Sequence, residues 1–274
     1  MNVTALAQSV IAVGFDGRRA ADAPLDELRA LAPGAVILFG RNAGSNDELR
    51  ALIVALRGMT ALPPLIAVDQ EGGRVARIGE PVAQLPSAMA VGAAHDAGAC
   101  ERLGTLLGRD LARLGVSVDF APVADCALVP ANTVIGTRAY GSDPHVVARF
   151  AGAFARGLET GGVAAALKHF PGHGSTAVDS HVALPRVSAG AAEFRARDLV
   201  PFAAAISADA AQIVMAGHVV IDAFDAQRPA SLSPRILTRL LRDELGFAGV
   251  ACTDCLQMDA IAHTRERSRA RWRR

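Results

Sequence analysis

The stretch Lys168-His169-Phe170-Pro171-Gly172-His173-Gly174, followed by Asp179-Ser180-His181, holds the densest set of chemically useful side chains in the chain. Its two glycines and proline make an irregular loop that can bring backbone close to a ligand. Three histidines and an aspartate on one loop suit either proton transfer or metal binding. Asp179 and His181 are two residues apart, so an extended segment puts them on the same side. There the carboxylate can hold the imidazole tautomer and raise its basicity. A metal reading would take His169, His173 and His181 as ligands and would need a matching partner elsewhere. A third reading has these histidines only bracing backbone. Proton transfer is the reading adopted, with no metal and no organic cofactor. Lys168 also stands out, because every other Lys/Arg position in the chain is arginine.

These residues need elements to hold them. Short apolar runs occupy 35–39, 65–68, 116–120, 163–167, 212–216 and 250–253. Each ends in polar or Gly/Pro-rich sequence and reads as a strand buried on both faces. Amphipathic helical patterns lie between them at 46–57, 99–114, 144–160 and 233–245. Ser233-Pro234 resembles an N-cap with proline at the first helical position, and Gly246 would stop that helix. Alternating strands and helices imply a parallel sheet, open or closed into a barrel. No glycine-rich phosphate loop follows the early strands, which disfavours a nucleotide-binding sheet. Polar residues cluster just past the runs: Asp69, Asp125, Lys168 with His169, His218 and Asp254. In a (β/α)8 barrel all of these share the C-terminal mouth. The fold class expected is therefore α/β, a TIM-type (β/α)8 barrel.

The motifs then point to one family. KHFPGHG with DSH downstream resembles the signature loop of family 3 β-N-acetylhexosaminidases. Ile37-Leu38-Phe39-Gly40-Arg41-Asn42, Val68-Asp69-Gln70-Glu71-Gly72-Gly73-Arg74-Val75 and Phe120-Ala121-Pro122-Val123-Ala124-Asp125 are similar to family blocks in the same order. So are Val134-Ile135-Gly136-Thr137-Arg138 through Pro144, Pro229-Ala230-Ser231-Leu232-Ser233 and Gly246-Phe247-Ala248-Gly249-Val250. The resemblance implies a retaining glycosidase that removes terminal β-linked N-acetylglucosamine, from muropeptides or chitooligosaccharides. It implies Asp254 as nucleophile, His181 as acid/base and Asp179 as its dyad partner. It also implies Asp69, Arg138, Lys168 and His169 as holders of the sugar hydroxyls. Arg74 and Asp125 lie in matching blocks, where sugar contact and bracing weigh evenly. Alternatives are a phosphorylase, with phosphate as acceptor, and an inactive remnant that still binds sugar.

Bulk composition agrees with an ordinary globular enzyme. The 274 residues are 51% apolar and 20% charged, with net charge +1. That balance gives no general pull toward nucleic acid or an anionic membrane, and 4% aromatic content argues against a base-stacking surface. The N-terminus has no secretory pattern and no run is long enough to span a bilayer. The expectation is a cytoplasmic monomer whose partner is a small carbohydrate. Cys252 and Cys255 form a C-x-x-C, but they flank the expected nucleophile and a redox role is not favoured. Residues 1–262 read as one barrel domain. Residues 263–274 carry one acid and six arginines in the last ten positions. This tail departs from the family pattern and reads as a truncation or frameshift product, not a nucleic-acid tail. On that reading the barrel lacks its last βα unit, leaving open edges and reduced stability.

Overall fold

The computed structural model describes residues 2–176 and 184–262. Asp179, His181 and the 263–274 tail therefore lie outside the described residues. Seven parallel strands form one curled sheet in simple chain order: β1 (Ala12–Gly14), β2 (Ala35–Leu38), β3 (Leu65–Val68), β4 (Val118–Asp119), β5 (Ala164–Phe170), β6 (Ile213–Ala216) and β7 (Val250–Thr253). Every neighbouring pair is parallel. Among the described residues β1 pairs only with β2, and β7 only with β6.

The inner strands are mostly apolar, as strands covered on both faces are; Asp119 in β4 and Lys168 and His169 in β5 are the polar exceptions. Alternation divides them between two cores. Ile66, Val68, Ala165, Leu167 and Val214 point outward into a large cluster shared with the helices. Ala67, Val118, Ala166, Ile213 and Met215 point inward, and Ile37 and Cys252 pack against them. This parity matters for the chemistry. Asp69, Lys168 and Asp254 each stand two residues beyond an inner-facing residue: Ala67, Ala166 and Cys252. Period-2 geometry thus lifts three charged side chains to the mouth directly above an apolar floor.

The connecting helices are α1 (Leu25–Leu31), α2 (Asn46–Arg57), α3 (Ala97–Leu114), α4 (Pro144–Thr160) and α5 (Val200–Ser207). Local signals explain their starts. Ser45 and Glu48 form a reciprocal capping box on α2, and Asp143 accepts from His145 and Val146 ahead of Pro144 on α4. The expected helix at 233–245 is present as a π-type helix, Arg235–Glu244, with Ile236, Leu240 and Leu241 buried. Ser233 Oγ accepts from Ile236 N at 3.3 Å, and Gly246 ends the helix at φ +70°. Strand β1 was not expected, since three residues of Ala-Val-Gly carry no periodic signal.

Candidate active site

Strand β5 supplies two consecutive residues to the mouth, which ordinary alternation forbids. The reason is a bulge. Lys168 pairs with Met215 and Phe170 pairs with Ala216, so His169 is the extra residue. Lys168 keeps the inner face, Phe170 keeps the outer core against Phe202, and His169 is turned toward the pocket.

Lys168 is fully buried and ion-paired twice. Its Nζ lies 2.7 Å from Asp69 Oδ1 and 2.5 Å from Glu71 Oε1. Glu71 also takes a bidentate pair from Arg138, at 2.6 Å from Nη2 and 2.8 Å from Nε. Burial alone would raise the Glu71 carboxyl, but Lys168 and Arg138 hold it down at about 2. Burial likewise works against the Lys168 ammonium, and Asp69 and Glu71 outweigh it, so its pKa is raised. Two anions and two cations therefore form a compensated, rigid lattice along one wall. Glycine makes the approach possible. Gly72 and Gly73 adopt left-handed backbone, φ +97° and +55°, in the turn just after Glu71.

Behind this wall stands Asp125, which is 1% exposed. Its Oδ2 receives His169 N at 3.1 Å and His169 Nδ1 at 2.7 Å, and its Oδ1 receives His173 N at 2.6 Å. The carboxylate can only accept, so His169 carries its proton on Nδ1 and turns Nε2 toward Arg138 Nη2, 3.4 Å away. Burial opposes the Asp125 charge, but His169 and His173 outweigh it and lower its pKa. With both oxygens occupied and no exposed surface, Asp125 braces; it does not present an oxygen to a sugar. Arg74 lines the pocket, yet its Nη2 is spent on the carbonyls of Thr133 and Val134, both at 2.6 Å. It fastens that loop without an ion pair among the described residues.

Asp254 faces these groups across a cavity of about 740 Å³, whose wall also includes Phe39, Met215, Cys255 and Gln257. Its backbone N–H donates to Ala216 O at 2.9 Å, and its Oδ1 accepts from Cys255 N at 2.7 Å. Burial would raise this carboxyl; the nearby His169, the Cys255 N–H, His218 and Lys168 reverse that and lower it. Asp254 is therefore an anion at neutral pH.

Glu71 lies in a family-like block but carries no sequence signal of its own as a site residue. By sequence His173 is only one of three loop histidines suited to proton transfer, metal binding or backbone bracing. His173 lines the pocket, and its buried Nε2 has no partner among the described residues. Burial, followed by the repulsion of His169, lowers its pKa, which favours the neutral ring. No group of three potential metal ligands occurs among the described residues. No described helix is long and apolar enough to cross a membrane.

Gly174 seats the loop that leads toward 177–183. A Cβ there would lie 1.7 Å from Cys126 O, well inside any tolerable contact. Gly174→Ala is expected to displace this loop and lower kcat/KM by roughly 10²-fold. Kinetics alongside circular dichroism would check it, and wild-type kinetics in the variant would refute it.

Known proteins share this architecture. Residues 6–272 match the N-terminal domain of glycosyl hydrolase family 3. A β-hexosaminidase of Stenotrophomonas maltophilia is 40% identical over 257 residues, covering 92% of this chain and 76% of that protein. β-Hexosaminidase A of Pseudoalteromonas piscicida is 38% identical over 249 residues, covering 84% of this chain but 42% of its own length. Among solved structures, a family 3 β-N-acetylglucosaminidase from Paenibacillus sp. superposes with TM-score 0.93 at 38% identity, covering 97% of this chain and 51% of that one. NagZ from Neisseria gonorrhoeae, in complex with N-trifluoroacetyl-D-glucosamine, gives 0.85 at 34% identity, covering 95% and 77%. A barrel sheet in this order, with an ionised aspartate after β7 facing a Lys-Glu-Arg lattice and these relatives around it, makes the chain a member of the family 3 glycoside hydrolases, of β-hexosaminidase type.

Proposed function

We propose that this protein is a retaining exo-β-N-acetylglucosaminidase. The observation that carries the reading is the placement of the Asp254 carboxylate, charged and half-buried, opposite the fixed donors and acceptors of Lys168, Arg138, Asp69 and His169. Those groups would clamp the hydroxyls of a terminal sugar and fix its anomeric carbon above Asp254. Asp254 would attack that carbon while His181 protonates the departing oxygen, forming a glycosyl-aspartate. His181, held by Asp179, would then deprotonate water to release the sugar. The relatives' names support an N-acetylglucosamine substrate. By resemblance the natural aglycone is that of a muropeptide, met in the cytoplasm.

The test is turnover of a chromogenic β-N-acetylglucosaminide followed by NMR of the first product, with and without inorganic phosphate. The expected product is the β-anomer of the free sugar, at a rate that phosphate does not raise and a chelator does not lower. An α-anomer would rule out retention. A sugar 1-phosphate would establish the phosphorylase, and no turnover would favour a sugar-binding remnant.

A further inference from the structure

Among the described residues, the strand that leads into Asp254 has a sheet partner on one side only. Strand β7 has its sheet partner in β6, and the last ladder bond at this end is Asp254 N to Ala216 O. Past that bond, the position of the carboxylate depends on residue 255, whose N–H holds Asp254 Oδ1. Cys255 is itself exposed, so solvent offers it no fixed support.

A buried side chain provides that support. His218 follows β6 after Gly217 and is 0% exposed. Its Nε2 lies 2.9 Å from the carbonyl oxygen of Cys255, and its Nδ1 lies 2.6 Å from Ser231 Oγ. A carbonyl oxygen only accepts, so Nε2 carries a proton and donates it. Ser231 is 2% exposed and sits in the short 3₁₀ turn Ala230–Leu232, whose N–H groups bond back to Val219 O and Gly217 O. The imidazole is thus fixed at both ends, one on a rigid turn and the other on the residue that holds the nucleophile's oxygen.

We infer that His218 is a positioning residue for Asp254: through the Cys255 carbonyl it sets the peptide whose N–H orients the attacking carboxylate, with Ser231 fixing the ring. This rests on Asp254 being the nucleophile. His218 is not among the residues lining the pocket, so its loss is expected to act on the chemical step. His218→Ala is expected to lower kcat roughly 10- to 100-fold, with KM changed less than about threefold. His218→Gln places an amide N–H near the position of Nε2 and should recover most of the lost rate. Ser231→Ala, which frees the ring but leaves the donor, should fall between them.

The experiment combines these kinetics with mass-spectrometric labelling of Asp254 by a 5-fluoro N-acetylglucosaminyl fluoride, which traps a glycosyl-enzyme. Wild type labelled at Asp254, with slower labelling in His218→Ala and recovery in His218→Gln, supports the proposal. Wild type labelled but His218→Ala labelled at the same rate overturns it while keeping the nucleophile assignment. Wild type labelled elsewhere overturns the nucleophile assignment and the proposal with it. Should His218→Ala fail to fold on thermal melting, His218→Gln and Ser231→Ala decide the matter: equal loss in both, or none in either, overturns the role of the Nε2 donor.

Discussion

Asp254→Asn is expected to reduce kcat by roughly 10⁴-fold, about 5 kcal/mol of barrier, while the affinity for N-acetylglucosamine stays within about threefold. The amide keeps the side chain's shape and an oxygen for Cys255 N. What it removes is the negative charge and the attacking lone pair. The proposed hydroxyl clamps on the opposite wall are untouched, so binding is expected to survive. A smaller variant sharpens the test. Asp254→Ala leaves room for azide, and added azide should restore turnover and yield the α-glycosyl azide, because an external nucleophile then attacks the face that Asp254 used. Turnover near wild type in Asp254→Asn would remove the residue from the mechanism. The pH profile adds a sign. His169, the Cys255 N–H and other neighbours overcome burial and hold the Asp254 carboxyl below its usual 3.8. Its contribution to an acid limb of kcat/KM must therefore fall below pH 3.8, and a limb nearer neutrality belongs to another group.

Much of this site was legible because strands obey a period of two. Asp69, Lys168 and Asp254 follow apolar runs, and parity puts them on the inner face whatever the family. Helix α4 was legible to the residue, since Asp143 and Pro144 mark its start. Other residues escaped for physical reasons. His169 violates alternation, and only the bulge at β5 brings it to the pocket. Glu71 sits in the glycine-rich turn after β3, beyond the reach of any periodic rule, yet it is the hinge of the ion lattice. Asp125 shared the strand-end signature of a contact residue. Its role as a brace depends on two backbone N–H groups, which composition does not reveal. His218 was noted at a strand end, but its partners are a carbonyl 37 residues away and a serine 13 residues away. Strand β1 offered three residues and no pattern.

Glu71→Gln is expected to cost about 3 kcal/mol at neutral pH and to lower the melting temperature by roughly 5–10 °C. The argument starts from what the carboxylate faces. Lys168 and Arg138 both pair with it at 2.5–2.8 Å, and the amide leaves Lys168 with Asp69 as its remaining ion pair and takes from Arg138 the carboxylate it pairs with. The folded Glu71 has its pKa at about 2 against an ordinary 4.5. A depressed value means that the charge contributes stability present in full above pH 4.5 and lost as the pH falls from there through 2. Lys168 has a raised pKa, so its contribution is complete below 10.5 and is lost only as the solution becomes strongly basic. The acid window thus isolates Glu71 from its partner. Wild type should lose about 3 kcal/mol through this pair between pH 4.5 and 2, and Glu71→Gln should lose that much less over the same range. KM should rise by about tenfold, because Lys168 and Arg138 lose the anion that aims them at the sugar. Denaturant melts of both proteins across this pH range decide the point. Parallel acid profiles, or a melting temperature within about 1 °C of wild type at neutral pH, would show that Asp69 alone neutralises the two cations and that Glu71 is dispensable to the wall.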